Sequence, residues 1–153
     1  MTPAADAKTK GNTTARRAAE VLVGKGLGFA IPTAKQKKNL VVAFAKRNMI
    51  VYGKAFDVVR LSEQIDLNDL QDIEQHLEGV TLYEIKSTAK EVGKDFEGYF
   101  FAVTAAELLV SQSLKSHFKF VFVNTITGSH RELSLSQMFA RAKGIYPTWS
   151  ILF

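Results

Sequence analysis

The chain has 153 residues, of which 46% are hydrophobic and 23% are charged, and this size and composition fit one compact domain with its own core. It contains no cysteine, which excludes disulfides and thiolate metal sites and leaves oxygen atoms and three histidines as metal ligands. No apolar run reaches the length of a membrane span, and the first residues lack the pattern of a signal peptide. We therefore expect a cytoplasmic protein without a membrane partner.

The net charge of +5 is distributed unevenly along the chain. Residues 1–60 hold 12 Lys and Arg against 3 Asp and Glu, whereas residues 61–80 hold six acidic residues and no Lys or Arg. A basic region attracts polyanions and releases their counterions, which favours a nucleic acid as partner. An anionic membrane surface or simple solubility would account for the same charge.

The N-terminal region predicts a tail followed by helices. Residues 1–12 are small and polar and lack apolar periodicity, so we expect a flexible tail ahead of a single domain spanning 13–153. Thr13 or Thr14 can cap a first helix that runs to about Lys25.

A second helix is predicted where Thr33 and Gln36 have the spacing of a capping box. It would run from Lys35 to about Arg47. The run from Leu40 to Phe44 is rich in β-branched residues and would also suit a strand, so both structures remain open at this point.

Two strands joined by a tight turn are predicted next, over residues 48–52 and 55–61. Asp57 would lie inside the second strand, between apolar neighbours. A carboxylate in such a place is costly to bury alone, so we expect it to meet a cation, a metal ion or water.

The acidic stretch, about residues 62–79, has apolar residues three to four positions apart and predicts one short helix inserted between two strands. Val80 to Ser87 predicts the strand that follows. Residues 89–98 are polar and contain glycine, which indicates a mobile loop directly after that strand.

The second half of the chain predicts a strand–helix–strand unit. Thr104 and Glu107 form a capping box for a helix that continues to Leu114, and residues 117–124 are apolar on both faces, as in a central strand. Together with the strand from Val80, this order predicts a parallel strand pair and an α/β fold.

The C-terminal region predicts two further elements. Ser134 and Gln137 can cap a helix that runs to about Lys143, and Thr148 to Phe153 would form a closing strand.

Glu84 and Lys86 stand two positions apart in the predicted strand from Val80, and Ile85 lies between them. Side chains alternate along a strand, so Glu84 and Lys86 would share one face while Ile85 enters the core. A carboxylate can hold Mg²⁺, and an adjacent lysine can orient a water molecule. The alternative is a solvated ion pair of the kind that occurs in many sheets.

These residues resemble the PD-(D/E)XK nuclease superfamily, through Asp57 after Gly53-Lys54-Ala55-Phe56 and through Glu84-Ile85-Lys86. The resemblance covers roughly residues 14–125. It implies a restriction-endonuclease-like αβββαβ core, an α/β fold in which helices flank a mixed central sheet.

The resemblance also implies a site and a reaction. Asp57 and Glu84, with the backbone carbonyl of Ile85, would ligate Mg²⁺, for which Mn²⁺ can substitute, and Lys86 would position the attacking water. Glu20, on the first helix, would be a possible extra acid. The implied protein is a hydrolase, a Mg²⁺-dependent DNA endonuclease of the restriction or DNA-processing type.

The sequence departs from the family pattern in two respects. Phe56 stands where the family name has proline, and the acidic stretch makes the gap from Asp57 to Glu84 27 positions long. If this stretch separated the two strands, an acid within it would replace Asp57 as a ligand: Asp66, Asp69 or Asp72.

Basic residues on the first two helices and on the loop after the Glu84 strand are candidates for phosphate contacts. The candidates are Arg16, Arg17, Lys35, Lys37, Lys38, Lys90 and Lys94. Two alternatives to an enzyme remain open on the same fold: a non-catalytic nucleic-acid-binding module, and a protein-interaction or assembly subunit. The protein could also be a subunit of a larger nuclease system. A homodimer would suit an endonuclease that cuts both strands.

Overall fold

The computed structural model describes residues 3–153, and side chains from residue 13 onward. Helices and strands alternate along most of the chain. Their bounds are α1 Pro3–Gly24, β1 Phe29–Ala30, α2 Ala34–Ala45, β2 Val58–Leu61, α3 Leu70–Gln75, β3 Val80–Thr88, α4 Ala105–Leu114, β4 Phe118–Asn124, β5 His130–Leu133 and α5 Leu135–Arg141.

The strands form one five-stranded sheet in the order β1-β2-β3-β4-β5. β3 and β4 are parallel, with Glu84 opposite Phe120 and Lys86 opposite Phe122, and the other neighbouring pairs are antiparallel. Helix α4 connects β3 to β4, so the predicted strand–helix–strand unit is confirmed. The fold is α/β with a mixed sheet, as predicted.

The two faces of the sheet are covered by different helices. Helix α1 packs through Ala18 and Leu22 on the face that carries Tyr83 and Ile85. Helices α2, α3, α4 and α5 contribute to the core on the other face, where the Val80 and Leu82 side chains lie. Alternation along β3 therefore directs Glu84 and Lys86 to the face opposite α1.

Local capping signals located three helices well. α2, α4 and α5 each begin with the predicted capping box, in which the N-cap side chain accepts the N3 amide and the N3 side chain accepts the N-cap amide. The helix interpretation of residues 40–44 is thereby confirmed, because they lie within α2.

The acidic stretch loops out and leaves β2 and β3 adjacent. Leu61 pairs with Val80, and the Ser62 amide donates to the Gly79 carbonyl over 2.9 Å, which closes the insertion at its base. Its apolar residues are buried against the main core, and α3 is the short helix that the sequence predicts. The long gap therefore does not separate Asp57 from Glu84.

The predicted hairpin over residues 48–52 and 55–61 is wrong. Residues 48–52 form no strand, and the partner of β2 on that side is β1 instead. The Ile50 amide donates to Ser113 Oγ of α4 over 2.7 Å, so this segment runs against a helix rather than along the sheet. A 3₁₀ turn, Gly53–Ala55, then leads toward β2.

Two predictions at the chain ends also differ from the structure. Residues 148–153 form no closing strand, and β5 occupies that edge of the sheet. Helix α1 begins at Pro3 rather than at Thr13 or Thr14. Residues 1 and 2 of the predicted tail lie outside the described residues. Within residues 3–153, the helices are all too short or too polar to cross a membrane.

Candidate functional site

Asp57 lies immediately before β2, not inside it as predicted, and it is fastened to β3 by two hydrogen bonds. Its amide donates to the Tyr83 carbonyl over 2.8 Å, and its Oδ2 accepts the Ile85 amide over 3.0 Å. The carboxylate thus takes the place that a backbone carbonyl would have if β2 continued. This arrangement fixes the carboxylate beside the middle of β3.

Lys37 of α2 stabilises the turn that precedes Asp57. Lys37 Nζ donates to the carbonyls of Gly53, over 3.0 Å, and Phe56, over 2.7 Å, and lies 4.8 Å from the centre of the Phe56 ring. The sequence predicts Lys37 as a phosphate contact. In the structure it anchors the segment that positions Asp57.

Glu84 and Lys86 project from β3 on the same face, as predicted. Lys86 Nζ lies 3.5 Å from Glu84 Oε1, and the two side chains are only 16% (Glu84) and 12% (Lys86) exposed. The pair is therefore not the solvated surface ion pair of the alternative interpretation.

The environment of Glu84 strongly favours its protonated form. Burial and repulsion by Asp57 raise the pKa of Glu84 to about 9, although Lys86 opposes this shift. Repulsion by Glu107 raises it further. The Glu84 carboxyl group therefore lies where its negative charge is costly unless a proton or a cation neutralises it.

Glu84 also has an unsatisfied atom. Its Oε2 is buried and has no hydrogen-bond partner among the described residues. A buried carboxylate oxygen without a partner is costly and calls for a donor or a cation.

Glu107 lies beside Glu84 and Lys86, although the sequence predicts only a capping role for it. It lies in the first turn of α4, is 4% exposed, and its Oε1 is in direct contact with Lys86 Nζ. In the sequence, its role in the capping box is enough to explain it. The sequence nevertheless contains a signal for this contact. In a strand–helix–strand unit with parallel strands, the helix begins near the carboxyl end of the first strand, and Lys86 lies near that end of β3.

We call Asp57, Glu84, Lys86 and Glu107 the Glu84 cluster. It combines three carboxyl groups with one ammonium group, so acidic groups outnumber basic ones. The side chains of Glu84, Lys86 and Glu107 are largely buried.

Glu20 is not part of the Glu84 cluster. It lies on α1, which covers the opposite face of the sheet, and its carboxylate is 3.4 Å from Arg16 on an exposed surface. The structure therefore does not bring this predicted acid to the site.

The acids of the insertion are used locally. Asp69 caps α3, and Asp72 accepts the Asp66 amide over 2.6 Å and pairs with His76. They do not replace Asp57.

The predicted phosphate-binding residues fall on two sides of the molecule. Arg16 and Arg17 lie exposed on α1, on the face away from the Glu84 cluster. The others lie on α2, which packs on the cluster's side of the sheet, or on the loop that follows β3. Of these, the exposed residues are Lys35, Lys38, Lys90 and Lys94.

The donors around Glu84 fit a divalent cation held by few protein ligands. Among the described side chains, from residue 13 onward, no group of three or more His, Cys, Asp and Glu has a metal-binding arrangement. Magnesium, however, commonly takes one or two carboxylates and completes its shell with water and phosphate. Asp57 and Glu84, the unpartnered Glu84 oxygen and the nearby Ile85 backbone meet that requirement.

Comparisons of the chain with protein-family models, with curated proteins and with solved structures found no match.

Proposed function

We propose that the protein is a divalent-metal-dependent DNA endonuclease with a restriction-endonuclease-like core, and that its site is built on Asp57, Glu84 and Lys86. The observation that carries this proposal is the largely buried Glu84 carboxyl group, with one oxygen unpartnered among the described residues, Lys86 beside it and Asp57 hydrogen-bonded to the same strand at Ile85. Perturbed carboxyl groups with a charged partner are characteristic of functional sites.

Asp57 and Glu84, with the carbonyl of Ile85, would hold Mg²⁺ or Mn²⁺. When bound, the ion would polarise the scissile phosphate and stabilise negative charge on the leaving oxygen. Asp57 is already oriented for this role, because its second hydrogen bond to β3 fixes the carboxylate. Lys86 would donate a hydrogen bond to the attacking water and place it in line with the phosphate.

Two features of the fold support this function. The insertion closes on itself, so the aspartate and the Glu-x-Lys strand remain adjacent despite the long gap between them in the chain. The order of β2, β3, α4 and β4, with α3 set aside as part of the insertion, agrees with the resembled core from its second strand onward, whereas α2 lies between β1 and β2, where that core has no helix.

DNA is the proposed substrate because exposed lysines lie on α2, which packs on the cluster's face of the sheet, and on the segment that follows the Glu84 strand. Lys35 and Lys38 on α2, and Lys90 and Lys94 after β3, would contact phosphates and lend the affinity a strong salt dependence. Two copies acting together would cut both strands, so a homodimer on DNA is part of the proposal.

The test is cleavage of supercoiled and linear DNA by the purified chain with Mg²⁺, with Mn²⁺ and with chelator. We expect cleavage that requires the metal and falls by at least about 10²-fold in Asp57→Asn, Glu84→Gln and Lys86→Ala. Glu20→Gln is the matched control, an acid on the opposite face that should leave the rate unchanged.

Two results would overturn the proposal. One is metal-dependent cleavage that persists in Glu84→Gln. The other is salt-dependent DNA binding without cleavage in any metal, which would identify a non-catalytic nucleic-acid-binding module.

A further inference from the structure

The charge of Glu107 is not explained by its place at the start of α4. Within the described part of the chain, three helices begin with a capping box, and in α2 and α5 the N3 residue is a glutamine, Gln36 or Gln137. Glutamine serves this motif as well as glutamate does. Of these three boxes, only that of α4 has an ionisable N3 residue, and there it is buried and in contact with Lys86.

The two oxygens of Glu107 have separate partners. Oε2 accepts the Thr104 amide over 3.2 Å and the Thr104 hydroxyl over 2.6 Å, which completes the cap. Oε1 contacts Lys86 Nζ. Since both oxygens are occupied, Glu107 differs from Glu84, whose Oε2 has no partner among the described residues.

Lys86 is thereby held from two sides. Its ammonium group has three N–H donors, and Glu84 and Glu107 each receive one of them. One donor remains for a further acceptor. The cap fixes Glu107 to the rigid first turn of α4, so it supplies a fixed anchor for a long and otherwise flexible side chain.

We infer that Glu107 is a positioning residue, which holds the Lys86 ammonium group beside Glu84 and leaves one N–H to orient the attacking water. The inference rests on the proposed function for its catalytic consequence. It adds a residue on a helix to a site otherwise carried by β3 and by the residue that precedes β2.

Glu107→Gln separates positioning from capping. The amide oxygen of the substituted side chain can still accept the Thr104 amide, but its amide nitrogen then faces Lys86, and two donors meet where a carboxylate met an ammonium group. The helix start is retained while the anchor for Lys86 is lost. Gln137→Glu is the matched control, because it makes the reverse exchange in the α5 box, away from Lys86.

The first measurement is a thermal-denaturation cycle in chelator without DNA, using Glu107→Gln, Lys86→Met and the double variant. Glu107→Gln should lower Tm in the wild-type background. In the Lys86→Met background, Glu107→Gln should raise Tm. Without the ammonium group the three carboxyl groups repel one another, and Glu107→Gln removes one of these charges. Should Lys86→Met not fold, Lys86→Gln takes its place in the cycle.

The second measurement is DNA cleavage with Mg²⁺. Glu107→Gln should lower kcat by about 10–100-fold, the usual effect of losing a residue that orients a functional group, without changing KM for DNA or the Mg²⁺ concentration at half-saturation. In the Lys86→Met background it should change kcat by less than about 3-fold, since coupled residues are not additive.

The results separate this inference from the proposed function. Absence of cleavage by the wild-type chain overturns the proposed function, while a reversed Tm effect would still identify Glu107 as the residue that holds Lys86. Equal Tm shifts in the two backgrounds, or an unchanged kcat in Glu107→Gln, overturn the positioning role. A raised Mg²⁺ half-saturation also overturns it, because that result would make Glu107 a metal ligand.

Discussion

The two faces of the sheet each carry a polar cluster, and the clusters differ in how fully their groups are satisfied. On the α1 face, Glu132 accepts the Tyr83 hydroxyl over 2.5 Å with one oxygen and Arg60 over 2.9 Å with the other. Arg60 also donates to the Leu27 carbonyl. We call Arg60, Tyr83 and Glu132 the Arg60 network; it has one positive and one negative charge.

The Glu84 cluster on the other face has the opposite character. Glu84 and Glu107 share the Lys86 ammonium group, Asp57 adds a third carboxyl group, and Glu84 keeps a buried oxygen that no described residue partners. A satisfied buried network contributes rigidity, whereas an unsatisfied one costs stability. The contrast favours a structural role for the Arg60 network, and it supports the proposal that the Glu84 cluster binds a cation.

The largest expected effect on stability concerns the Arg60 network. Glu132→Ala removes the acceptor of both Tyr83 and Arg60, and should lower the free energy of unfolding by about 2–4 kcal/mol. Chemical denaturation measures this loss. Cleavage per folded molecule should not change. A loss below about 1 kcal/mol would show that the satisfied network does not stabilise the fold, and would remove one side of the comparison.

The second effect has the opposite sign and concerns Glu84→Gln in the absence of divalent ions. Below a pH of about 4.5, Glu84 is protonated in both the folded and the unfolded state and costs nothing. As the pH rises toward the folded-state pKa of about 9, the unfolded state loses the proton first and the wild-type fold is progressively weakened. Glutamine does not ionise, so the variant should be more stable, by an amount that grows with pH.

Thermal denaturation at about pH 4 and about pH 8 measures this difference. We expect nearly equal Tm values at the lower pH and a Tm several degrees higher for Glu84→Gln at the higher pH, given that about 1 kcal/mol corresponds to about 2–4 °C in a chain of this size. Glu132→Gln is the matched control in the other cluster and should not be stabilised. A Glu84→Gln difference that is independent of pH would contradict the account of the carboxyl pair.

A smaller effect is expected from Tyr83→Phe, which removes one hydrogen bond of the Arg60 network and leaves the ring in the core. Glu132 retains Arg60 as a partner, so the loss should be about 1 kcal/mol. Urea denaturation of this variant beside Glu132→Ala tests the order of the two effects. A larger loss in Tyr83→Phe would contradict it.

The smallest effect is expected at Glu20, whose exposed pairing with Arg16 belongs to neither cluster. Glu20→Gln should change the free energy of unfolding by less than about 0.5 kcal/mol, as is usual for such helix pairs. A larger change would mean that α1 contributes more to the polar chemistry of the sheet than its contacts indicate.

Much of the fold could be predicted because its signals are local. The boxes at Thr33, Thr104 and Ser134 each define a helix start within a single turn, and β4 is apolar on both faces. The hairpin prediction failed because an extended apolar run says nothing about its partner. Residues 48–52 lie against α4, and the two-residue β1 that pairs with β2 has no distinctive pattern.

The site was only partly predictable, because local sequence signals specify some of its contacts and the packing of distant segments specifies the others. Glu84 and Lys86 share a face by strand alternation, which two positions suffice to specify. The approach of Asp57 depends on the closure of the insertion at Ser62 and Gly79. The contact of Glu107 with Lys86 depends on how α4 packs on β3, which the sequence does not show. The capping box alone explains a glutamate or a glutamine at this position, so the charge of Glu107 gave no separate signal.

The most direct test of the central claim is a crystal structure of the protein with Mn²⁺ and data collected for anomalous scattering. The account predicts an ion bound by oxygens of both Asp57 and Glu84 at about 2.1 Å, as for hard divalent cations, with Lys86 still held by Glu107. A fully occupied ion elsewhere, or no ion between the Asp57 and Glu84 carboxyl groups at saturating Mn²⁺, would contradict it.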